Sequence, residues 1–248
     1  TAPLLYKAIN KVQDTQWEVN TDLLLLVNHF WENKIKLDSL PTRELTPMPD
    51  ASLVDFNKLE EKQKYSYDKA KAIASNNKLK NVKLNTLKTL KLADRYKDTP
   101  FYLPQQLDFR GRMYSVPSLL NNQGGDLPRA LLRFHKGKPI TSVEALEAYI
   151  LTGMNHLDNL EDSTIQNKLE YYRDNKDMLT MVGEDPLGNV SFWSTAKEPL
   201  QFVAWLIEHV KVVKDSSYPS QHVCAIDGSN HGCQIWAMLL KDEQTAEH

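Results

Sequence analysis

Apolar residues recur at helical spacing through most of the chain. Positions three and four apart are repeatedly apolar, which is the pattern of helices that bury one face. Outside a basic region considered below, five stretches show this pattern: 1–10, 21–33, 143–157, 165–178 and 195–214. The last of them has the strongest apolar face. Residues 38–50 contain three prolines and are predicted to form a linker.

Two short segments have the pattern of strands. In residues 102–116, apolar side chains alternate with Arg110 and Arg112, which predicts one strand. In residues 223–227, small and β-branched side chains lead to Asp227, and turn residues follow it. The apolar run after the turn predicts a closing helix. We therefore predict an α+β fold that is mostly helical and contains a small antiparallel sheet.

A strongly basic region lies between Lys62 and Lys97. It holds eleven lysines and arginines against two aspartates, a charge of +9, whereas the whole chain carries −2. Because attraction to phosphates is local, this asymmetry indicates a polyanionic partner. A solvated helical face is the alternative explanation. We predict two helices here, 55–74 and 84–96, with a break at 75–77.

Composition narrows the class of protein. Only 9 glycines among 248 residues favour helices over a loop-rich β fold. No apolar run reaches the roughly 18 residues of a membrane span, and the N-terminus lacks a signal-peptide pattern. We therefore expect an intracellular protein in which Cys224 and Cys233 are reduced core residues. The seven histidines show no metal-ligand spacing, which argues against a metal-dependent hydrolase.

Two stretches carry residue types suited to chemistry on phosphates. Arg110 and Arg112 flank Gly111, and a planar guanidinium donates two hydrogen bonds to one phosphate. Gly111 also allows another backbone to approach closely. Asp227 has two interpretations, a helix cap beside a turn or a carboxylate ligand of a metal ion. The local pattern around Asp227 favours the cap.

The two stretches resemble two sequence motifs of one known family, in the same order and at the expected separation. Asp108–Arg112 matches an Asp-x-x-Gly-Arg motif, and residues 119–140 are similar to the family sequence that follows that motif. Residues 223–243 are similar to the segment called motif A. Together they resemble the single-subunit RNA polymerases of bacteriophages and mitochondria. A weaker similarity extends back to Trp17–Asn20 and covers most of the chain.

The resemblance implies part of a right-hand polymerase fold, with a thumb and part of the palm and fingers. It divides the chain into five units: an N-terminal helical remnant and linker (1–52), basic thumb-like helices (53–98), palm with the Asp-x-x-Gly-Arg motif (99–140), a helical palm and fingers insertion (141–218) and the motif A strand and helix (219–248). The small antiparallel sheet would belong to the palm.

The resemblance also implies roles for individual residues. Asp227 would be one of two carboxylates that hold two catalytic Mg²⁺ ions, and Gly228 would offer its carbonyl oxygen to the metal. Ser229, Asn230 and Gly232 would line the nucleotide site. Gly232 stands where related DNA polymerases have a glutamate that blocks the 2′-hydroxyl, which favours ribonucleotides. The implied contacts to template and hybrid are Arg110, Gly111, Arg112, Tyr114, Arg129, Lys83, Lys88 and Lys91.

One carboxylate cannot hold two Mg²⁺ ions, and this chain offers no second one nearby. Asp242 lies about 15 Å from Asp227 along the predicted helix, and Asp215 lies at the far end of the predicted strand. The family's second metal-binding aspartate and its nucleotide-binding helix are absent from the sequence. We therefore expect the smaller subunit of a heterodimeric phage RNA polymerase, with a truncated polymerase as the alternative.

The expected partners follow from that interpretation. They are a second polymerase subunit with the missing motifs, template DNA, the RNA product, ribonucleoside triphosphates and a single-stranded-DNA-binding recruiter, with no membrane involved. The expected location is the cytoplasm of an infected bacterial host. The competing hypothesis is a non-catalytic nucleic-acid-binding or assembly subunit in which Asp227 is a cap.

Overall fold

The computed structural model describes residues 2–42, 44–160, 163–224, 236–237, 239 and 241. Its helices are α1 (Ala2–Gln13), α2 (Thr21–Glu32), α3 (Leu59–Tyr96), α4 (Asp126–Ala130), α5 (Val143–Met154), α6 (Ile165–Glu184), α7 (Val190–Trp193) and α8 (Pro199–Lys214). Its strands are β1 (Gln16–Val19), β2 (Phe101–Tyr102), β3 (Gln105–Leu107), β4 (Met113–Ser115), β5 (Leu132–Phe134), β6 (Lys138–Pro139) and β7 (Pro219–Ser220). The prediction of a mostly helical α+β fold with small antiparallel sheets is confirmed.

The described residues form three small antiparallel sheets, two of which join distant parts of the chain. Strand β1 lies between β2 and β5 in a three-stranded sheet. Strands β3 and β4 form a hairpin, and β6 pairs with β7. In the last pair Lys138 lies opposite Ser220, and Pro139 lies opposite Pro219. The corner after β5 is therefore joined to the segment that leads toward Asp227.

Helix α8 is the centre of the apolar core. It packs on α2, α4, α5 and α6, and Trp205 and Leu206 in its middle are completely buried. Gly153 of α5 lies directly against Trp205, since a Cβ there would come within 2.3 Å of the indole ring. The indole nitrogen donates a 3.0 Å hydrogen bond to the carbonyl oxygen of Tyr149. The stretch with the strongest apolar pattern thus forms the core, although the helix begins at Pro199 and not at 195.

The basic region forms one continuous helix, so the prediction of two helices separated at 75–77 is wrong. Helix α3 runs through 38 residues and is about 57 Å long. Two polar side chains at the predicted break, Ser75 and Asn76, form hydrogen bonds with the linker residue Thr46. Asn76 accepts a 2.8 Å hydrogen bond from the amide of Thr46 and donates a 3.0 Å bond to its carbonyl, and Ser75 bonds the Thr46 hydroxyl at 2.9 Å. The helix contains no glycine or proline that would interrupt it.

The strand predictions are correct only in part. Residues 102–116 form a hairpin, with Arg110 and Gly111 in its turn, and not a single strand. The reason is that Gly111 adopts a φ of +78°, which turns the chain back on itself. Of the predicted strand 223–227, Val223 and Cys224 are outside regular strands and the remainder lies outside the described residues. The nearby strand is β7, which is earlier in the chain.

The predicted closing helix is described at only a few positions. Trp236, Ala237 and Leu239 are helical. Ala237 is buried, whereas Trp236 and Leu239 are exposed. Cys224 is a free cysteine on the surface, where its Sγ accepts a 3.2 Å hydrogen bond from the Thr152 hydroxyl, so the prediction that it is a core residue is wrong. Cys233 lies outside the described residues. Within the described ranges, no helix combines the length and the apolar character needed to cross a membrane.

Candidate functional site

The turn of the β3–β4 hairpin is organised by Asp108. One of its carboxylate oxygens accepts hydrogen bonds of 2.9 Å from the amides of Arg110 and Arg112. The other accepts a 3.2 Å bond from the Arg110 guanidinium. The backbone amide of Arg112 is the largest of the influences on Asp108, and together they hold the pKa of this carboxyl below its usual range. The spacing of the motif thus has a local cause, because its aspartate closes the turn that Gly111 permits.

The hairpin presents its arginines to solvent. Arg110, Gly111, Arg112 and Tyr114 are all exposed, and Phe109 at the tip is 95% exposed. Behind them, Gln123 accepts a 2.8 Å hydrogen bond from the amide of Ser115 and donates a 3.0 Å bond to the carbonyl of Met113. The predicted template-contacting residues of this stretch therefore lie on one surface, on a hairpin braced from behind.

Helix α3 carries most of its cations on one face. At about 100° per residue, the seven members of this face fall within a sector of about 140°: Lys62, Lys69, Lys80, Lys83, Lys88, Lys91 and Arg95. We call them the cationic face. The buried side of the same helix, with Thr86, Leu90 and Ala93, points away from it. Lys88 and Lys91 are exposed and Lys83 is half-buried at the edge, so the three predicted contact lysines share this side.

Arg129 lies in a charged cluster and is not on the outer surface. Its guanidinium forms an ion pair with Glu198, whose other oxygen lies 3.0 Å from Nδ1 of His156. Burial, with the Arg129 charge as a second cause, lowers the pKa of His156 to about 4. This imidazole is therefore neutral near pH 7, and Glu198 balances the charge of Arg129.

Arg129 also lines a pocket that reaches the approach to Asp227. The pocket is shared with Asn122, Glu208, His222 and Val223. Within the described part of the chain, Arg129 Nε, Asn122 Oδ1 and His222 Nε2 are buried without a hydrogen-bond partner. Burial lowers the pKa of His222 to about 3, so its ring is neutral as well. The structure thus brings Arg129 next to the segment that precedes motif A.

That segment is held from two sides by carboxylates. On α8, Oε1 of Glu208 accepts hydrogen bonds from Ser220 Oγ at 2.5 Å and from the amides of Gln221 and His222 at 3.1 Å each. On β1, Glu18 accepts a 2.9 Å bond from the side-chain amide of Gln221. Burial raises the pKa of Glu208, and the hydrogen bonds it accepts only partly oppose this effect.

Glu18 belongs to a wider polar cluster on the sheet. It accepts a 2.7 Å hydrogen bond from Arg133 and lies 2.8 Å from Nδ1 of His135. Burial acts to raise the pKa of Glu18, but His135, Arg133 and Gln221 together outweigh it and lower the pKa. The carboxylate is therefore ionised in the folded protein near neutral pH.

The predicted metal and nucleotide residues themselves lie outside the described residues. These are Asp227, Gly228, Ser229, Asn230 and Gly232. Among the residues that are described, no group of three or more histidine, cysteine, aspartate or glutamate side chains is placed to hold a metal ion. The Mg²⁺ site thus remains a prediction that rests on Asp227 and Gly228.

The sequence interpretation missed Glu18, Glu208 and Gln221. Glu208 left one signal, since it is the single acidic residue in the apolar run 202–210, and a carboxylate on a buried helix face needs hydrogen-bond donors. Glu18 left no such signal, because its partner Gln221 is 203 residues away in the chain.

Comparison with known proteins gives a consistent result. The family described as DNA-dependent RNA polymerase matches residues 149–248. The chain is 30% identical over 97% of its length to the DNA-directed RNA polymerase of Enterobacteria phage T3. It is 27% identical to DNA-directed RNA polymerase 1, mitochondrial, of Arabidopsis thaliana and 28% identical to DNA-directed RNA polymerase 3, chloroplastic, of Nicotiana sylvestris, each over 98% of its length.

The similarity extends along nearly the whole chain but covers only part of each relative. The chain spans 27% of the phage enzyme and 25% of each of the two plant enzymes. The matched part contains both the Asp-x-x-Gly-Arg hairpin and motif A, in the order that the resemblance predicts. Along nearly its whole length the chain is therefore similar to DNA-directed RNA polymerases of a phage and of plant organelles, in agreement with the resemblance that its two motifs indicate.

Proposed function

We propose that this chain forms the part of a DNA-directed RNA polymerase that supplies Asp227 to the catalytic centre and contacts template and hybrid. The observation that carries the proposal is the family match across residues 149–248, which contains the Asp227-Gly228-Ser229 segment. Further support comes from the segment just before it, which the buried Glu208, the half-buried Glu18 and a strand pairing hold in place.

In this proposal each part of the chain has one task. Asp227, with the carbonyl of Gly228, is half of a two-metal site, and Mg²⁺ ions there stabilise charge on the attacking and leaving oxygens during phosphoryl transfer. Ser229 and Asn230 line the nucleotide site beside Asp227. Gly232 has no side chain to exclude a 2′-hydroxyl, so the substrates are ribonucleoside triphosphates.

The nucleic acid is held by two cationic surfaces. The exposed hairpin with Arg110 and Arg112 contacts the template and the hybrid beside the site, since guanidinium groups bind phosphate oxygens in pairs. The cationic face of α3 acts as the thumb and follows the backbone of the RNA–DNA hybrid. Arg129 acts beside the approach to Asp227, because it pairs with Glu198 and lines a pocket together with His222 and Val223.

The catalytic centre needs residues from outside these 248 positions. One carboxylate cannot clamp two Mg²⁺ ions, and the chain spans about a quarter of its relatives. We propose that a second subunit carries the other metal-binding aspartate and the nucleotide-binding helix. A single-stranded-DNA-binding protein would then recruit the assembled enzyme to melted template.

Changing Asp227 to Asn tests the proposal. In the assembled polymerase, Asp227→Asn should abolish Mg²⁺-dependent RNA synthesis, because a neutral amide is a poor metal ligand, while assembly and template binding stay near wild type. Asp215→Asn is the matched control, since Asp215 is exposed and its carboxylate accepts hydrogen bonds from Ser217 within its own turn. Synthesis and template binding are measured on the same preparations.

Three results would contradict the proposal. Unchanged synthesis by Asp227→Asn would favour the non-catalytic nucleic-acid-binding subunit. Equal loss of template binding and synthesis would make Asp227 a structural cap. RNA synthesis by the 248-residue chain alone would refute the requirement for a second subunit.

A further inference from the structure

Glu208 makes an unusual set of contacts for a residue in the middle of a core helix. It is 6% exposed, and a single carboxylate oxygen accepts hydrogen bonds from three consecutive residues, Ser220, Gln221 and His222. Two of the three donors are backbone amides. Such bonds fix the path of the main chain and not merely one side chain, because the amide direction depends on the backbone dihedrals.

The opposite side of the same segment is fixed independently. The carbonyl of Gln221 accepts a 3.0 Å hydrogen bond from the amide of Phe134. The side-chain nitrogen of Gln221 donates hydrogen bonds of 2.9–3.0 Å to Glu18 and to the carbonyls of Phe134 and His135. Gly137 touches the segment as well, since a Cβ there would lie 2.3 Å from the carbonyl oxygen of Pro219.

These contacts leave the segment 219–222 very little freedom just before motif A. Asp227 follows His222 by five residues, and an extended chain of five residues spans at most about 18 Å. We propose that Glu208 is a positioning residue of the polymerase, which sets the direction in which the chain delivers Asp227 to the metal site. This inference rests on the proposed function, because it assumes that Asp227 binds metal.

The hydrogen bonds to Glu208 explain why a side-chain oxygen acceptor is needed at this position. Buried backbone amides that lose their acceptor are costly, and one oxygen with two free lone-pair directions serves several converging donors. Glutamine keeps an oxygen at the same place and can accept the same bonds. Alanine leaves both amides and the Ser220 hydroxyl without their acceptor. A purely charge-based role would instead fail in both variants.

The test compares Glu208→Ala, Glu208→Gln and Val203→Ala in the assembled polymerase. Val203 is a fully buried residue of the same helix that faces the apolar core, so it matches the loss of packing without touching the segment. RNA synthesis is measured as a function of Mg²⁺ concentration, and thermal unfolding is measured on the same samples. Mutation of a residue that orients a metal ligand typically lowers metal affinity or activity by about 10- to 100-fold.

The expected result separates positioning from stability. Glu208→Ala should raise the Mg²⁺ concentration for half-maximal synthesis, or lower the maximal rate, by about 10- to 100-fold. Glu208→Gln should restore most of this loss, and Val203→Ala should leave the Mg²⁺ dependence unchanged. If Glu208→Ala does not fold, Ser220→Ala removes the hydroxyl that donates to Glu208 and accepts a 3.4 Å bond from the His222 amide, and it should shift the Mg²⁺ dependence in the same direction.

The inference is overturned if Glu208→Ala, or Ser220→Ala where the former does not fold, matches Val203→Ala in Mg²⁺ dependence at equal folded fraction. Asp227→Asn distinguishes this failure from failure of the proposed function. A wild-type enzyme that is active and an Asp227→Asn enzyme that is not would leave the proposed function intact and remove only the role of Glu208. An active Asp227→Asn enzyme would remove both.

Discussion

Neutralising three lysines of the cationic face should flatten the salt dependence of nucleic-acid binding. The variant replaces Lys80, Lys88 and Lys91 by glutamine. All three are exposed, and helical geometry places them within about 80° of one another. Lys83 is left unchanged because it is half-buried at the edge of the face. Glutamine keeps the helix propensity and removes only the charge.

The size of the effect follows from counterion release. Each phosphate contact on a duplex contributes about 0.9 to the slope of log affinity against log salt, so three contacts contribute about 2.7. Between 50 and 200 mM salt, a slope larger by that amount corresponds to an affinity loss about 40-fold greater. The wild-type chain should therefore lose about 40-fold more affinity over this range than the triple variant.

The assay is fluorescence anisotropy of a labelled RNA–DNA hybrid, titrated with the chain at several salt concentrations. The matched control replaces Lys64, Lys71 and Lys78, which lie on the same helix but about 150° away around its axis. It has the same net charge as the test variant, so the comparison isolates position from total charge. Circular dichroism confirms that both variants keep the helix.

Two outcomes would refute the reasoning. If the slope of the test variant is unchanged, the cationic face is only a solvated helix surface and does not act as a thumb. If test and control flatten the slope equally, binding depends on overall charge and no face of α3 is selected.

Three further predictions concern the fold that supports the site. Gly153→Ala should destabilise the chain by about 1–3 kcal/mol in urea unfolding, because overpacking against the buried Trp205 ring exceeds the helix-propensity gain; a neutral effect would mean that α5 and α8 can separate. Gly111→Ala should lower stability by about 1–2 kcal/mol through its left-handed backbone alone, while Gly111→Asn should be milder; equal losses in thermal unfolding would contradict this. Glu18→Gln should lose stability near neutral pH, since the folded pKa of Glu18 is depressed below 4.5. The difference from wild type should then disappear as the pH falls through the folded pKa, and a difference that persists in acid would point to packing instead.

The sequence predicted most helices because their causes are local. Asn20 caps α2 by accepting a 3.2 Å hydrogen bond from the amide of Leu23, as its position before an apolar run indicates. Helix α3 was predicted wrongly because Ser75 and Asn76 are usually turn residues, and nothing local shows that the linker residue Thr46 occupies their side chains. The competing interaction is 30 residues away.

The candidate site shows the same contrast between residues with local causes and residues that only folding brings together. The residues of the two motifs were predicted from their spacing and resemblance, and the structure shows that the members of the first motif form one turn around Asp108. The carboxylates that hold the approach to Asp227 were not identified, because Glu18 acts on a residue that is adjacent only after folding. Glu208 was hidden within a helix whose pattern otherwise indicates core.

Helix α3 is anchored in the core at its base, near its C-terminal end. Its fixed base is the buried stretch around Thr86, Leu90 and Ala93, and about 40 Å of helix extends from there to Leu59. A tilt of about 5° at the base would move the far end by about 3.5 Å. The hydrogen bonds between Thr46 and Asn76 hold the helix at a point about 15 Å from its base. Hydrogen bonds at this point should restrict any tilt of the arm, so loosening Thr46 should widen the range of nucleic-acid diameters that the arm can follow.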